Sequence, residues 1–152
     1  MRHLLEITHQ NRRNLLEILK NTSREELLCI PDGFRNNLWW NIAHVVVTQQ
    51  LLVYKMSNLP MMVPDVLVHK FKKGSVPDGT ATDEEIEQIK GLLLSTIERT
   101  KEDYNKGLFT TFNEYTTSAK VTLRNVDDAI AFNLFHEGLH FGSILALRKM
   151  VQ

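Results

Sequence analysis

His136 and His140 lie four residues apart in Phe135-His136-Glu137-Gly138-Leu139-His140-Phe141-Gly142, a run whose apolar pattern reads as helix. Positions i and i+4 sit one above the other on a helix face, so the two imidazoles can converge on one point, as metal ligands must. Two ligands are too few for a tight site. A third donor has to come from elsewhere in the chain, and Glu137 has to be either a catalytic base or a bystander.

As a pattern, His136-Glu137-Gly138-Leu139-His140 is HExxH, in which two histidines hold zinc and the glutamate takes a proton from the bound water. The rest of the chain argues against a protease. Twelve residues follow His140, and none is His, Asp, Glu or Cys. No strand is evident beside the helix to bind an extended peptide. Upstream, the candidates are His3, His9, His44 and His69. His44 alone falls mid-helix in a largely apolar segment, where a histidine costs free energy unless hydrogen-bonded or ligated. His3, His9 and His69 read as surface residues. Glu137 is rotated away from the two histidines on the helix wheel, which suits a supporting role better than direct catalysis.

The elements that must position these residues are helical. The first helix runs from about Arg2 to Lys20, with Thr8 and Asn11 as polar interruptions of its apolar stripe. They are either a tolerated pair or lining for a polar cavity. Ser23 and Glu26 form a capping box for a short turn before Pro31. The second long helix begins near Arg35 to Asn37 and continues to about Met56. Asn41, His44, Thr48 and Lys55 make one narrow polar strip on it, facing water or a polar pocket, while Trp39 and Trp40 read as packing anchors. Ser57 to Ala81 is a long connection with room for one short turn. Thr82 and Glu85 form a second capping box, opening a third helix that stops near Gly107. Lys106 to Arg124 is another connection, weakly strand-like and compatible with a small hairpin. Asn125 caps the fourth helix, with Asp127 and Asp128 in its first turn and Arg148 and Lys149 in its last, matching the helix dipole. The expected fold is all-α: an antiparallel four-helix bundle with long connections between helices two and three and between three and four, as one domain over residues 1–152.

Composition removes several function classes. The 152 residues are 43% hydrophobic and 24% charged, with a formal net charge of zero. A dedicated nucleic-acid or anionic-membrane surface would need a basic excess. Lys70, Lys72 and Lys73 read as a solvated loop face. The single cysteine, Cys29, excludes an intrachain disulfide and reads as a buried, inert thiol. The N-terminus lacks the apolar core of a signal peptide, and Leu38 to Tyr54 is too interrupted to span a bilayer. A cytoplasmic location is expected.

Three sets of residues carry a family resemblance. Asn36-Asn37-Leu38-Trp39-Trp40-Asn41-Ile42-Ala43-His44, the HxxxH stretch ending in Gly142, and Leu145-Ala146-Leu147-Arg148-Lys149 resemble the DinB/YfiT-like superfamily, in helix order and spacing over essentially the whole chain. That family is a four-helix bundle with one metal-binding histidine on the second helix and a pair on the last. Matched residue by residue, the resemblance implies His44, His136 and His140 as ligands of a divalent metal, with zinc or nickel the best fits and iron a further option. Asn41, Thr48 and Asn133 lie within one or two turns of a ligand and are expected to line the pocket or contact the ligands from outside. Characterised relatives imply a thiol-dependent S-transferase, in which a metal-bound low-molecular-weight thiolate attacks a small electrophile. A metal-dependent hydrolase using bound water, and a non-enzymatic metal- or ligand-binding bundle, are the alternatives. Bundles of this family often pair, so a homodimer is open, although no sequence stripe demonstrates it.

Overall fold

The computed structural model describes residues 1–152. Its helices are α1 (Arg2–Lys20), α2 (Arg24–Leu28), α3 (Leu38–Gln50, prolonged by a π-helical turn at Leu51–Lys55), α4 (Asp65–Phe71), α5 (Asp83–Asn105) and α6 (Val126–Val151). The one sheet is a two-stranded antiparallel ribbon, β1 (Tyr115–Thr116) with β2 (Thr122–Leu123), pairing Tyr115 with Leu123 and Thr116 with Thr122. The chain is therefore all-α apart from the small hairpin expected between the last two long helices. No helix is long and apolar enough to cross a membrane.

Local chemistry accounts for where the helices start. Ser23 and Thr82 each accept from the backbone N–H three residues on, while Glu26 and Glu85 reach back to the cap. Asn37 accepts from Trp40 N–H, and Asn125 from Asp128 N–H. Each cap satisfies a backbone donor that the helix itself cannot, worth about 1 kcal/mol. Gly107, at φ +68°, lets the chain turn away after α5.

Burial then fixes the arrangement. α3 is apolar around most of its circumference, and all of its residues except Thr48 are buried, as expected of a helix with no solvent face. The larger core cluster gathers around Leu38, Trp39, Ile42, Val45 and Val46. A second cluster surrounds Val53, Tyr54 and Ile130, under the ribbon. α1 packs on α5 and α6, and α3 on α6 and α5. α1 and α5 run antiparallel: His9 meets Glu98, Arg12 reaches the Leu93 carbonyl, and Arg24 pairs with Asp83.

Two sequence expectations need correction. Cys29 is exposed; α2 ends just before it, the backbone extends, and Leu27 takes the inward position. Lys70 is not on a solvated loop. It lies on α4, where its amine binds Glu85 at 2.8 Å and Asp78 at 3.4 Å. Trp39 and Trp40 both pack in the core, as expected, with Trp39 edge-on to Phe71; Trp40 also meets the histidine site described below.

Candidate metal centre

α3 and α6 pack so that His44 faces His136 and His140. One nitrogen from each ring lies within 4.8 Å of the others, and His44 Nε2 is 3.3 Å from His136 Nε2. Two nitrogens bound tetrahedrally at about 2.0–2.1 Å from one ion stand roughly 3.3 Å apart. The outer nitrogens explain how two of the rings are aimed. His44 Nδ1 donates to the Phe71 carbonyl at 2.6 Å, and His140 Nδ1 donates to Asn41 Oδ1 at 2.8 Å. The Asn41 amide is itself oriented, because its NH2 donates to Asn36 Oδ1 and the Asn37 carbonyl. With Nδ1 protonated in both rings, the Nε2 lone pairs are left free for an ion. Trp40 stacks on the His44 ring at 4.4 Å and 13°, which removes the remaining rotational freedom.

His136 makes the case for a cation sharper. Its Nδ1 is buried without a protein partner. If that nitrogen carries the proton, two Nε2 lone pairs face each other at 3.3 Å. If Nε2 carries it, a lone pair is buried at Nδ1 with no donor. A cation between the Nε2 atoms removes the first conflict, so the residues present fit a divalent ion.

The same burial keeps the rings neutral. Desolvation pushes His136 down to about 3, with the neighbouring His140 and His44 adding to the effect. Burial and then His44 push His140 down to about 4. Burial lowers His44 as well, partly offset by the Phe71 carbonyl. All three can ligate at neutral pH without first losing a proton. Folded-state values below the unfolded value mean that the unfolded chain binds more protons as pH falls from about 6.5 towards 3. The metal-free protein should therefore keep its full stability only well above pH 6.5 and lose about 2–4 kcal/mol as the pH falls from 7 to 5. Urea unfolding of chelator-treated protein measures this, and a flat profile over that interval would count against the buried, neutral cluster.

Above the histidines lies a cavity of about 480 Å³. Trp40, Thr48, Leu51, Leu52 and Phe132 form much of its wall, and Tyr115, Thr117 and Ser118 of the hairpin close one side. Thr48 Oγ1 stands 3.2 Å from His44 Nε2. Of the three residues expected around the ligands, Asn41 anchors His140 and Thr48 lines the cavity. Asn133 faces the other side of α6, where its Nδ2 donates to Glu137 Oε1 at 2.8 Å.

Glu137 lies on that side too, fully buried. Arg12 Nε and Nη2 each bind one of its carboxylate oxygens at 2.8 Å, and Asn11 Nδ2 adds a contact at 3.3 Å. Both oxygens are engaged away from the histidines, so the HExxH letters do not describe a proton acceptor at this site. Asn11 thus joins a polar cluster, whereas Thr8 bonds only the Leu4 carbonyl behind it.

The family model for the DinB superfamily matches residues 7–144, a span that contains all three histidines. The chain belongs to the DinB superfamily. No curated protein matches it. In this DinB chain, the Phe71 carbonyl, Trp40 and Arg12 are the site-supporting groups that sequence reasoning missed. Arg12 did leave a signal. It follows Thr8 by four residues and precedes Leu15 by three, which places a charge in the buried seam of α1.

Proposed function

We propose that this DinB protein is a divalent-metal-dependent S-transferase that joins a low-molecular-weight thiol to a small electrophile. The observation that carries the reading is the convergence of three neutral imidazoles, two of them held by their outer nitrogens, at the floor of a cavity of about 480 Å³. His44, His136 and His140 would hold the ion, with zinc or nickel best suited to the donor set and iron accommodated by it. Bound there, such an ion supplies Lewis acidity that favours the deprotonated form of a thiol near neutral pH. The chain's own groups do the rest. Asn41 and the Phe71 carbonyl keep the imidazoles aimed, the Thr48 hydroxyl offers a hydrogen bond beside His44, and Leu51, Leu52 and Phe132 exclude water from the reacting pair.

The test is a conjugation assay with a chromogenic aryl halide and a panel of small thiols, after loading with zinc or nickel. Product formation should require both thiol and metal and should be lost in His44→Ala. Turnover without any thiol would favour hydrolysis, and no turnover under any condition would remove the enzymatic reading.

Two structural readings accompany it. The four long helices form one antiparallel bundle spanning residues 1–152, a reading supported by the helix pairings described above. Two copies pair through α6. That helix exposes Phe135 and Leu139, each more than half accessible, and carries no exposed charge from Ala131 to Ala146. An uncharged apolar strip of this kind is typical of a covered face. Sedimentation at micromolar concentration should give a dimer that Leu139→Lys dissociates; a monomeric wild type would refute the pairing.

A further inference from the structure

The cavity carries a charge bias that the metal reading does not use. Its wall includes Lys55 and Lys73 and no aspartate or glutamate, in a chain whose 18 basic and 18 acidic residues balance. Lys70 is neutralised by Glu85 and Asp78, but no carboxylate lies within ion-pair distance of Lys55 or Lys73. Both are placed by ordered structure. Lys73 falls between two tethers to the histidine site, the Phe71 carbonyl on His44 Nδ1 and the Ser75 hydroxyl that accepts from the Trp40 indole at 2.9 Å. Lys55 closes the π-helical turn whose Leu51 and Leu52 line the same cavity. Such turns recur at functional sites.

We infer that this cavity selects a carboxylate-bearing amphiphile, its carboxylate at Lys55 and Lys73 and its apolar body along Leu51, Leu52 and Phe132. The inference rests on reading the cavity as the substrate site and names the class of small molecule it admits. A cleft lined by one sign of charge, with apolar walls, concentrates ligands of the opposite sign. The volume lies within the range of small-ligand sites. Lys55 and Lys73 are exposed, whereas Leu52 is buried and Leu51 and Phe132 are half-buried, which sets the orientation: charged end outward, body inward over the histidines.

4-Phenylbutyrate and 4-phenylbutanol share one body, differ at the charged end, and contain no thiol. Their dissociation constants can be measured calorimetrically at low salt on the metal-free 152-residue chain, for the wild type, Lys55→Met, Lys73→Met and the double variant. Both lysines are exposed, so the substitutions leave the core intact. The wild type should bind phenylbutyrate at least about tenfold tighter than phenylbutanol. Each substitution should weaken phenylbutyrate about fivefold and the pair about twentyfold, with phenylbutanol unchanged. No binding of either probe at millimolar concentration, equal affinities in the wild type, or a carboxylate preference that survives the double substitution would each overturn the inference. Thiol chemistry plays no part in these readouts. A protein that takes phenylbutyrate through its lysines but conjugates no thiol keeps the anion site and loses the S-transferase reading. One that conjugates thiols without any carboxylate preference keeps that reading and loses the anion site.

Discussion

Arg12→Met should lower the unfolding free energy by about 3–5 kcal/mol, the cost of breaking a buried ion pair by removing one partner. Arg12 and Glu137 are both completely buried. One guanidinium binds the Glu137 carboxylate on α6 through two 2.8 Å bonds, the Val45 carbonyl on α3 at 2.9 Å and the Leu93 carbonyl on α5 at 3.4 Å. A single α1 side chain thus ties together all four long helices. Without it, the carboxylate keeps only Asn11 and Asn133, too few donors for a charge removed from water. The double variant Arg12→Met/Glu137→Met should be more stable than Arg12→Met alone, because it leaves no unpaired charge. Urea unfolding of the three proteins decides this. An Arg12→Met protein within 1 kcal/mol of the wild type, a threshold well below that expected loss, would show that the pair is not the clamp described here.

His44→Ala should weaken divalent-metal binding by more than about a hundredfold, since losses in the shell around metal ligands alone cost 10–100-fold. No other side chain can replace it. The cavity wall holds no carboxylate and no cysteine, and the two remaining histidines come from one helix. Competition with a chromophoric chelator gives the affinities. Equal affinity in the wild type and His44→Ala would place the ion elsewhere.

Much of this site could be read from residue types and spacing. Helix starts at Ser23, Thr82 and Asn125 follow from local capping chemistry, which needs only three or four neighbouring residues. His44 stood out because it is a polar group in an apolar helix. The groups that aim the histidines were harder to see. The Phe71 carbonyl is a backbone acceptor, so no residue type announces it, and it reaches His44 only because α4 forms within a connection rich in proline and glycine. Trp40 packs in the core as its type suggests, but the type does not show that one of its faces lies on an imidazole. The Arg12–Glu137 pair spans 125 positions, and only the buried register of Arg12 hinted at it. Cys29 and Lys70 depart from expectation for a related reason: composition gives an average for a residue type, while the end of α2 and the capping glutamate at Glu85 decide the actual surroundings.

X-ray absorption at the zinc edge, on protein loaded with one equivalent of zinc, before and after addition of a small thiol, reads the three-histidine site directly. The spectrum should show three imidazole nitrogens at about 2.0–2.1 Å with one further light-atom ligand, and then a sulfur neighbour at about 2.3 Å once the thiol is present. Fewer than three imidazoles, a carboxylate from the chain in the first shell, or a spectrum unchanged by thiol would contradict the proposed function.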